Sequence, residues 1–262
     1  MNNCSSAQYL KTGRKIRNMK NILALLSFVL LTTLANAQPP KYSDLQILYA
    51  DANYEKLTKV AANYTEKDKT KKDVLPYIWL SKALYKISLS GNSDPRFKNS
   101  YKDAIKYLGK GMKYDLKYND GTTIEEHREF VDLFQMSLFE VIDNEMSGGS
   151  SKRAGSWIIK YQKITTNTVG AKYLLGATKY MNQDKSTART LWKEGKVMLD
   201  ALTSVESFSQ ADLSLFRIGL LYTAQTLKDT RQIDKARALL NSAAQWFEGD
   251  DDWKERYDEI VN

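Results

Sequence analysis

The side chains that most often perform catalysis are scarce in this chain. Its 262 residues include one histidine, His127, and one cysteine, Cys4. A general base needs a positioned partner within hydrogen-bond reach. His127 precedes Val131 by four residues and Phe134 by seven, which places it on the apolar side of a predicted helix. We therefore predict that His127 is a half-buried packing residue, with no role as a base or metal ligand.

Two adjacent carboxylates, Glu125 and Glu126, are the next candidates. A glycosidase pair must face one sugar from two sides of a cleft, whereas neighbouring helix residues point about 100° apart. Thr122 and Glu125 instead fit a Thr-x-x-Glu capping box, in which each side chain satisfies a free backbone N–H at a helix start. We predict this cap and a long helix after it. We predict no catalytic residue, and the protein is predicted not to be an enzyme.

Two polar segments contain residue types that could bind an ion. Residues 148–155, Gly-Gly-Ser-Ser-Lys-Arg-Ala-Gly, lack the spacing of a phosphate-binding loop and follow a helix where that loop follows a strand. They predict a flexible hairpin, and phosphate binding at the next helix start stays open. Residues 250–252 are three aspartates, which suit a helix start but lack the further oxygen ligands of a calcium loop. Neither a metal nor a cofactor is predicted.

The first 37 residues predict export. Basic residues precede an apolar run over 22–34, which ends at Ala35-Asn36-Ala37, a small-x-small site of the type that signal peptidase cleaves. The run is shorter than the roughly 20 apolar residues needed to span a membrane. We predict a signal peptide at 1–37 and a mature chain that starts at Gln38, with no stable membrane span after processing. In a mitochondrial transit peptide, the alternative, the charges would be spread along the segment.

The position of Met19 bears on where the leader starts. Met19-Lys20-Asn21 would itself begin a normal signal peptide, so residues 1–18 are interpreted as an over-long start. The predicted location of the mature chain is periplasmic or secreted.

Processing would change the composition of the chain. Residues 38–262 contain no cysteine, which excludes disulfides and thiol chemistry there. Five of the 39 basic residues lie in the leader, leaving 34 against 31 acidic ones. So small an excess is no signature of nucleic-acid or membrane binding, and no nucleic-acid partner is predicted.

Hydrophobic periodicity predicts an all-α domain over 38–262. Apolar residues recur at three- and four-residue spacing, while 13 glycines and 4 prolines are few for an all-β chain. Ser209, three residues before Asp212, is a further candidate helix cap. The predicted helices are 42–51, 53–65, 74–89, 98–114, 122–147, 152–164, 169–181, 185–200, 210–228, 232–247 and one after Gly249.

Three of these helices share a small, large, small ridge. It starts at Ala104, Ala188 and Ala236, and seven residues later come Gly111, Gly195 and Ala243. The ridge resembles the second helix of a tetratricopeptide repeat. Twelve residues before two of these alanines lie Gly176 and Ala224, which match the small position of the repeat's first helix. The resemblance is strongest over 169–247, although the alanine spacings of 84 and 48 are not multiples of the usual repeat length.

The resemblance implies antiparallel helix hairpins stacked as a right-handed α-solenoid. It also implies that first helices line a concave groove for a protein or peptide partner. The candidate contacts are Tyr77, Tyr173, Tyr180, Gln225 and Lys228. The alternative for these residues is that they stabilise neighbouring repeats or face water. In this register Ala188 lies at a close helix contact and Tyr173 is at least partly exposed.

The function predicted from the sequence is a non-enzymatic, exported helical-repeat scaffold within an envelope assembly or secretion machine. The lysine- and tyrosine-rich composition and the leader ending in Ala-Gln resemble envelope proteins of Bacteroidetes. The alternative is an all-helical hydrolase or glycan-binding protein acting on cell-envelope polysaccharide. A closed, carboxylate-lined pocket would favour the hydrolase, and an open surface would favour the scaffold.

Overall fold

The computed structural model describes residues 41–262, so the predicted signal peptide and Gln38 lie outside the described residues. The chain divides into two units, 1–44 and 45–262, and the helices that follow the first described one lie in the second unit. Helix accounts for 75% of the described residues and none of them lies in a strand. The all-α prediction is confirmed. Among residues 41–262, no helix is long and apolar enough to cross a membrane.

Twelve α-helices and two short 3₁₀ turns, Pro95–Phe97 and Ala244–Trp246, make up this part of the chain. The helices are α1 Ser43–Ala50, α2 Tyr54–Glu66, α3 Val74–Leu89, α4 Ser100–Tyr118, α5 Thr122–Glu125, α6 Arg128–Ser147, α7 Ser151–Tyr161, α8 Val169–Met181, α9 Lys185–Asp200, α10 Gln210–Asp229, α11 Ile233–Asn241 and α12 Asp251–Val261.

Two helix starts form as their sequences predict. At α10 the Ser209 side chain accepts from the Asp212 N–H at 3.1 Å, while the Asp212 carboxylate accepts from the Ser209 N–H at 3.3 Å. At α12 the Asp250 side chain accepts from the Trp253 N–H at 3.0 Å. Both caps satisfy backbone donors that have no partner within their own helix.

The capping box predicted at Thr122 is wrong. Thr122 follows Gly121, whose φ of 83° makes a left-handed turn, and its hydroxyl donates to the Asn119 carbonyl at 2.8 Å. The buried Asp115 carboxylate of α4 takes the capping role and accepts from the Ile124 N–H at 2.7 Å. Glu125 pairs with Arg128 instead. A side chain from the preceding helix thus caps α5, and the predicted single helix is interrupted at residues 126–127 between α5 and α6.

Consecutive helices pack against one another along most of the second unit. Contacts join α2 to α3, α3 to α4, α6 to α7, α7 to α8, α8 to α9 and α10 to α11. Helix α8 also packs along α10, and α6 contacts α10 as well. The three predicted ridge alanines, Ala104, Ala188 and Ala236, are fully buried, which confirms the close contact expected of Ala188.

The crossing of α8 and α10 requires glycine on both helices. A Cβ on Gly170 would lie 2.4 Å from the backbone of Phe216, and a Cβ on Gly219 would lie 2.4 Å from the Gly170 carbonyl oxygen. Both distances are far below van der Waals contact, and backbone atoms cannot rotate out of the way. The side chains of Phe216 and Leu220, both fully buried, fill the space beside this crossing.

We expect Gly219→Ala to lower the free energy of unfolding by about 1–3 kcal/mol, because the added methyl overpacks the crossing. The loss should appear although alanine is intrinsically the better helix former by about 1 kcal/mol. Urea denaturation measures it. Gly249→Ala is the control, since a Cβ there meets nothing within 4 Å. A Gly219→Ala protein as stable as the parent would disprove the close crossing.

Candidate functional site

A cleft of about 570 Å³ lies between α9 and α11, over a floor formed by α8 and α10. We call it the α9–α11 cleft. Tyr173 and Tyr180 of α8 and Leu227 of α10 line the floor, with Trp192 and Leu239 on the two walls. The volume is within the roughly 300–1,000 Å³ range of ligand pockets. The cleft is therefore large enough to receive side chains of another molecule.

One aromatic pair forms the α9 wall. The indole of Trp192 stacks on the ring of Tyr180, with centroids 5.5 Å apart and planes at 20°. Its Nε1 donates to the Tyr173 carbonyl at 3.2 Å, which fixes the ring across α8. A Cβ on residue 176 would lie 2.3 Å from that Nε1. Gly176, which the sequence marks as a small packing position, thus leaves the space that Trp192 occupies.

The rim of the cleft is cationic. Arg189, Lys193 and Lys196 follow one face of α9 at four- and three-residue spacing, and Lys235 lies on the α11 side. Within the described part of the chain, the residues that line the cleft include no aspartate or glutamate. Lys196 pairs with Asp200 at 2.8 Å just outside it.

The predicted exposure of Tyr173 is wrong. Tyr173 lines the cleft floor, but only 2% of the residue is exposed. Gly195 is the reason, because a Cβ there would lie 3.2 Å from the Tyr173 ring and the missing side chain lets α9 cover it. Burial, with a smaller contribution from the Asp200 charge, raises the pKa of the Tyr173 phenol. Tyr173 therefore supports the cleft from beneath, and Tyr180 is only half-buried.

Tyr77 does not lie on an open face either. It is fully buried, and its hydroxyl donates to the Lys71 carbonyl at 2.7 Å. Burial and the neighbouring Tyr114 raise its pKa to about 12. The register that placed Tyr77 beside a groove does not hold, because α4 covers its ring and the chain around Lys71 covers its hydroxyl.

Gln225 and Lys228 lie on α10 outside the cleft lining. The Gln225 amide donates to Asp229 at 2.7 Å, and the Lys228 ammonium donates to the Glu259 carbonyl of α12. Both are half-buried. The structure thus brings Tyr173 and Tyr180 together in one cleft and leaves Tyr77, Gln225 and Lys228 elsewhere. Partner contact through Gln225 and Lys228 stays a prediction.

The cationic wall was not among the predicted features. The sequence does contain a signal for it, since Arg189, Lys193 and Lys196 share one helix face at positions i, i+4 and i+7. The resemblance to tetratricopeptide repeats directed attention to first helices, whereas these residues are on the helix that follows.

A second recess, of about 480 Å³, includes the carboxylates of Asp115 and Asp212 in its lining. The Asp212 carboxylate accepts hydrogen bonds from the Tyr161 hydroxyl at 2.7 Å and the Thr165 hydroxyl at 2.8 Å. The Asp115 carboxylate caps α5. These fixed hydrogen bonds join helices to one another, and burial next to Asp212 raises the pKa of Tyr161.

His127 is half-buried before the first turn of α6. Its Nδ1 lies 3.4 Å from the Lys82 ammonium, and its ring meets the edge of Trp79 with centroids 5.9 Å apart. Burial, and then the Lys82 charge, lower the pKa of His127 to about 4. The predicted packing position is confirmed. Among residues 41–262, no group of three histidine, cysteine or acidic side chains is placed to hold a metal ion.

The low pKa of His127 predicts a pH dependence of stability. From its ordinary value of 6.5 down to about 4, the unfolded chain binds the proton that folded His127 rejects. The free energy of unfolding should therefore fall as the pH drops through this window. Below the window, the stability that neutral His127 contributes should be lost entirely. His127→Gln removes the group, so the difference in unfolding free energy between parent and variant should change across the window. A constant difference would contradict the assigned environment.

We expect Tyr173→Ala to cost about 3–5 kcal/mol, as truncation of a buried aromatic ring does. Tyr180→Ala, on the half-buried partner of Trp192, is the matched control and should cost less. Thermal or urea denaturation of the two variants measures the loss of unfolding free energy in each. If Tyr180→Ala were the more damaging change, the burial of Tyr173 beneath the cleft would be wrong.

No protein-family profile matches this chain, and comparisons with curated proteins and with solved structures return no match either.

Proposed function

We propose that this protein is a non-enzymatic, exported helical-repeat scaffold that binds a segment of a partner protein in the α9–α11 cleft. The observation that carries the proposal is the cleft itself, an apolar and aromatic recess open at the surface and bordered by charged side chains. Aromatic and arginine side chains surrounding a recess are typical of the anchor points of protein interfaces. The proposed location is the periplasm or the outside of the cell, because residues 1–37 have the pattern of a signal peptide.

The proposed repeat architecture is supported by the packing of four helices. Helices α8 and α9 form one packed pair and α10 and α11 another, and α8 packs along α10. Ala188 and Ala236 occupy equivalent buried positions on α9 and α11. Two stacked tetratricopeptide-like hairpins would place α8 and α10 as first helices and α9 and α11 as second helices. The cleft then opens between second helices, not along the first helices as the sequence predicts.

The second recess gives little support to the alternative of a hydrolase. A general acid or base must be free to exchange a proton with substrate, whereas Asp115 and Asp212 are held by backbone and side-chain donors. Glu125 pairs with Arg128. Asp115 and Asp212 are better explained as connections between α4 and α5 and between α7 and α10.

The test is selection of a random displayed-peptide library on the full-length protein. Ala238 is exposed and lines the cleft, so Ala238→Trp should fill it without disturbing the core. Selected peptides should bind the parent and lose at least about 90% of their binding to Ala238→Trp, because the anchor position is occupied. Ala201→Trp, an equally exposed alanine that does not line the cleft, is the control and should bind normally. Failure to select any peptide, or equal binding to both variants, would refute the proposal.

A further inference from the structure

We propose that the α9–α11 cleft recognises an acidic protein segment that carries one aromatic or long aliphatic anchor side chain. This inference rests on the proposed function and names the chemistry of the partner. It follows from the charges at the rim, from the absence of acids in the lining, and from the apolar character of the floor.

Among the described residues, two of the cleft cations, Arg189 and Lys193, are unpaired, whereas Lys196 beside them and two lysines of the neighbouring helix α8 pair with carboxylates. Lys172 of α8 pairs with Glu194 at 2.5 Å, and Lys179 pairs with Asp184 at 3.5 Å. Across residues 41–262, by contrast, Arg189 and Lys193 have no carboxylate within 4 Å although both line the cleft. Positive charge is thus left uncompensated where a ligand would enter.

The opposite wall adds a further positive charge. Lys235 donates to the neutral Gln232 amide oxygen at 2.9 Å, a bond that leaves its charge uncompensated. Arg189 and Lys193 on α9 therefore face Lys235 across the cleft. Surface ion pairs are weak singly, but complementary potentials favour the correct partner and suppress a basic one. A segment with carboxylates on both sides of its anchor would meet these charges.

The apolar lining of the cleft determines which kind of anchor side chain it would accept. Leu227 on the floor and Leu199 and Leu239 on the walls line the cleft together with the stacked rings of Tyr180 and Trp192. Burial of an apolar side chain against such a surface is favourable by roughly 25 cal/mol per Å². Carboxylates alone would not bind to this apolar surface. An apolar anchor flanked by carboxylates would contact both the apolar surface and the cations of the rim.

A small anionic amphiphile shares this chemistry and is the competing occupant. The walls favour a protein segment, because the positive charges lie on two helices and are spaced along α9 over two turns, from Arg189 to Lys196. A single carboxylate head group would engage only one end of that row. The test must therefore include an amphiphile with one carboxylate.

The experiment compares peptide-library selections on the full-length parent and on the double variant Arg189→Glu/Lys193→Glu. The parent should enrich aspartate and glutamate around one aromatic or leucine position. The double variant should lose this enrichment and favour lysine and arginine. Lys56→Glu/Lys69→Glu changes the net charge equally at exposed positions outside the cleft and should select the same acidic peptides as the parent.

Affinities complete the test. The best acidic peptide, synthesised and labelled, should bind Arg189→Glu/Lys193→Glu at least about tenfold more weakly than the parent, and added salt should weaken parent binding. Replacing its anchor by alanine should abolish binding. Neutral peptides selected equally by both proteins would overturn this inference while the proposed function stands. Dodecanoate that binds in the cleft where no peptide does would overturn both.

Discussion

The close crossing of α8 and α10 is the contact on which the rest of the described structure depends. Only glycine at residues 170 and 219 permits the two backbones to approach as they do. The approach buries Phe216 and Leu220 in the core shared by α8, α10, α11 and α12. It also aligns the two helices whose outer surfaces form the cleft floor. A larger residue at either glycine would separate them and widen the recess above.

The walls of the cleft depend on a second set of small residues. Gly176 makes room for Trp192, and Gly195 brings α9 down over Tyr173. Ala188 and Ala236, both fully buried, lie where α9 packs on α8 and α11 packs on α10. Because each of these helices packs on its own neighbour, a gap remains between α9 and α11. The cleft is therefore a direct consequence of how the hairpins are packed, and its charges are carried by the helix face that this packing leaves free.

Local sequence signals predicted the helices well. The bounds of α3, α8 and α9 match the predicted residues 74–89, 169–181 and 185–200, because strong apolar periods are bounded there by turn residues and caps. The capping box predicted at Thr122 is wrong because the group that caps α5, Asp115, comes from another helix. The burial of Tyr173 was missed for a similar reason, since it depends on how closely α9 approaches α8. Side-chain exposure at a hairpin contact is a tertiary property that a single helix period does not encode.

Two surfaces are candidates for the proposed binding face: the face of α10 that carries Gln225, which the sequence predicts, and the α9–α11 cleft. Photo-cross-linking separates them directly. A photoreactive side chain is placed at Ser242, an exposed position lining the cleft, or at Gln225, outside it, and each protein is irradiated with a peptide selected on the parent. We expect a covalent product from position 242 and none from position 225. A product from position 225 alone would contradict the assignment of the cleft and restore the first-helix groove.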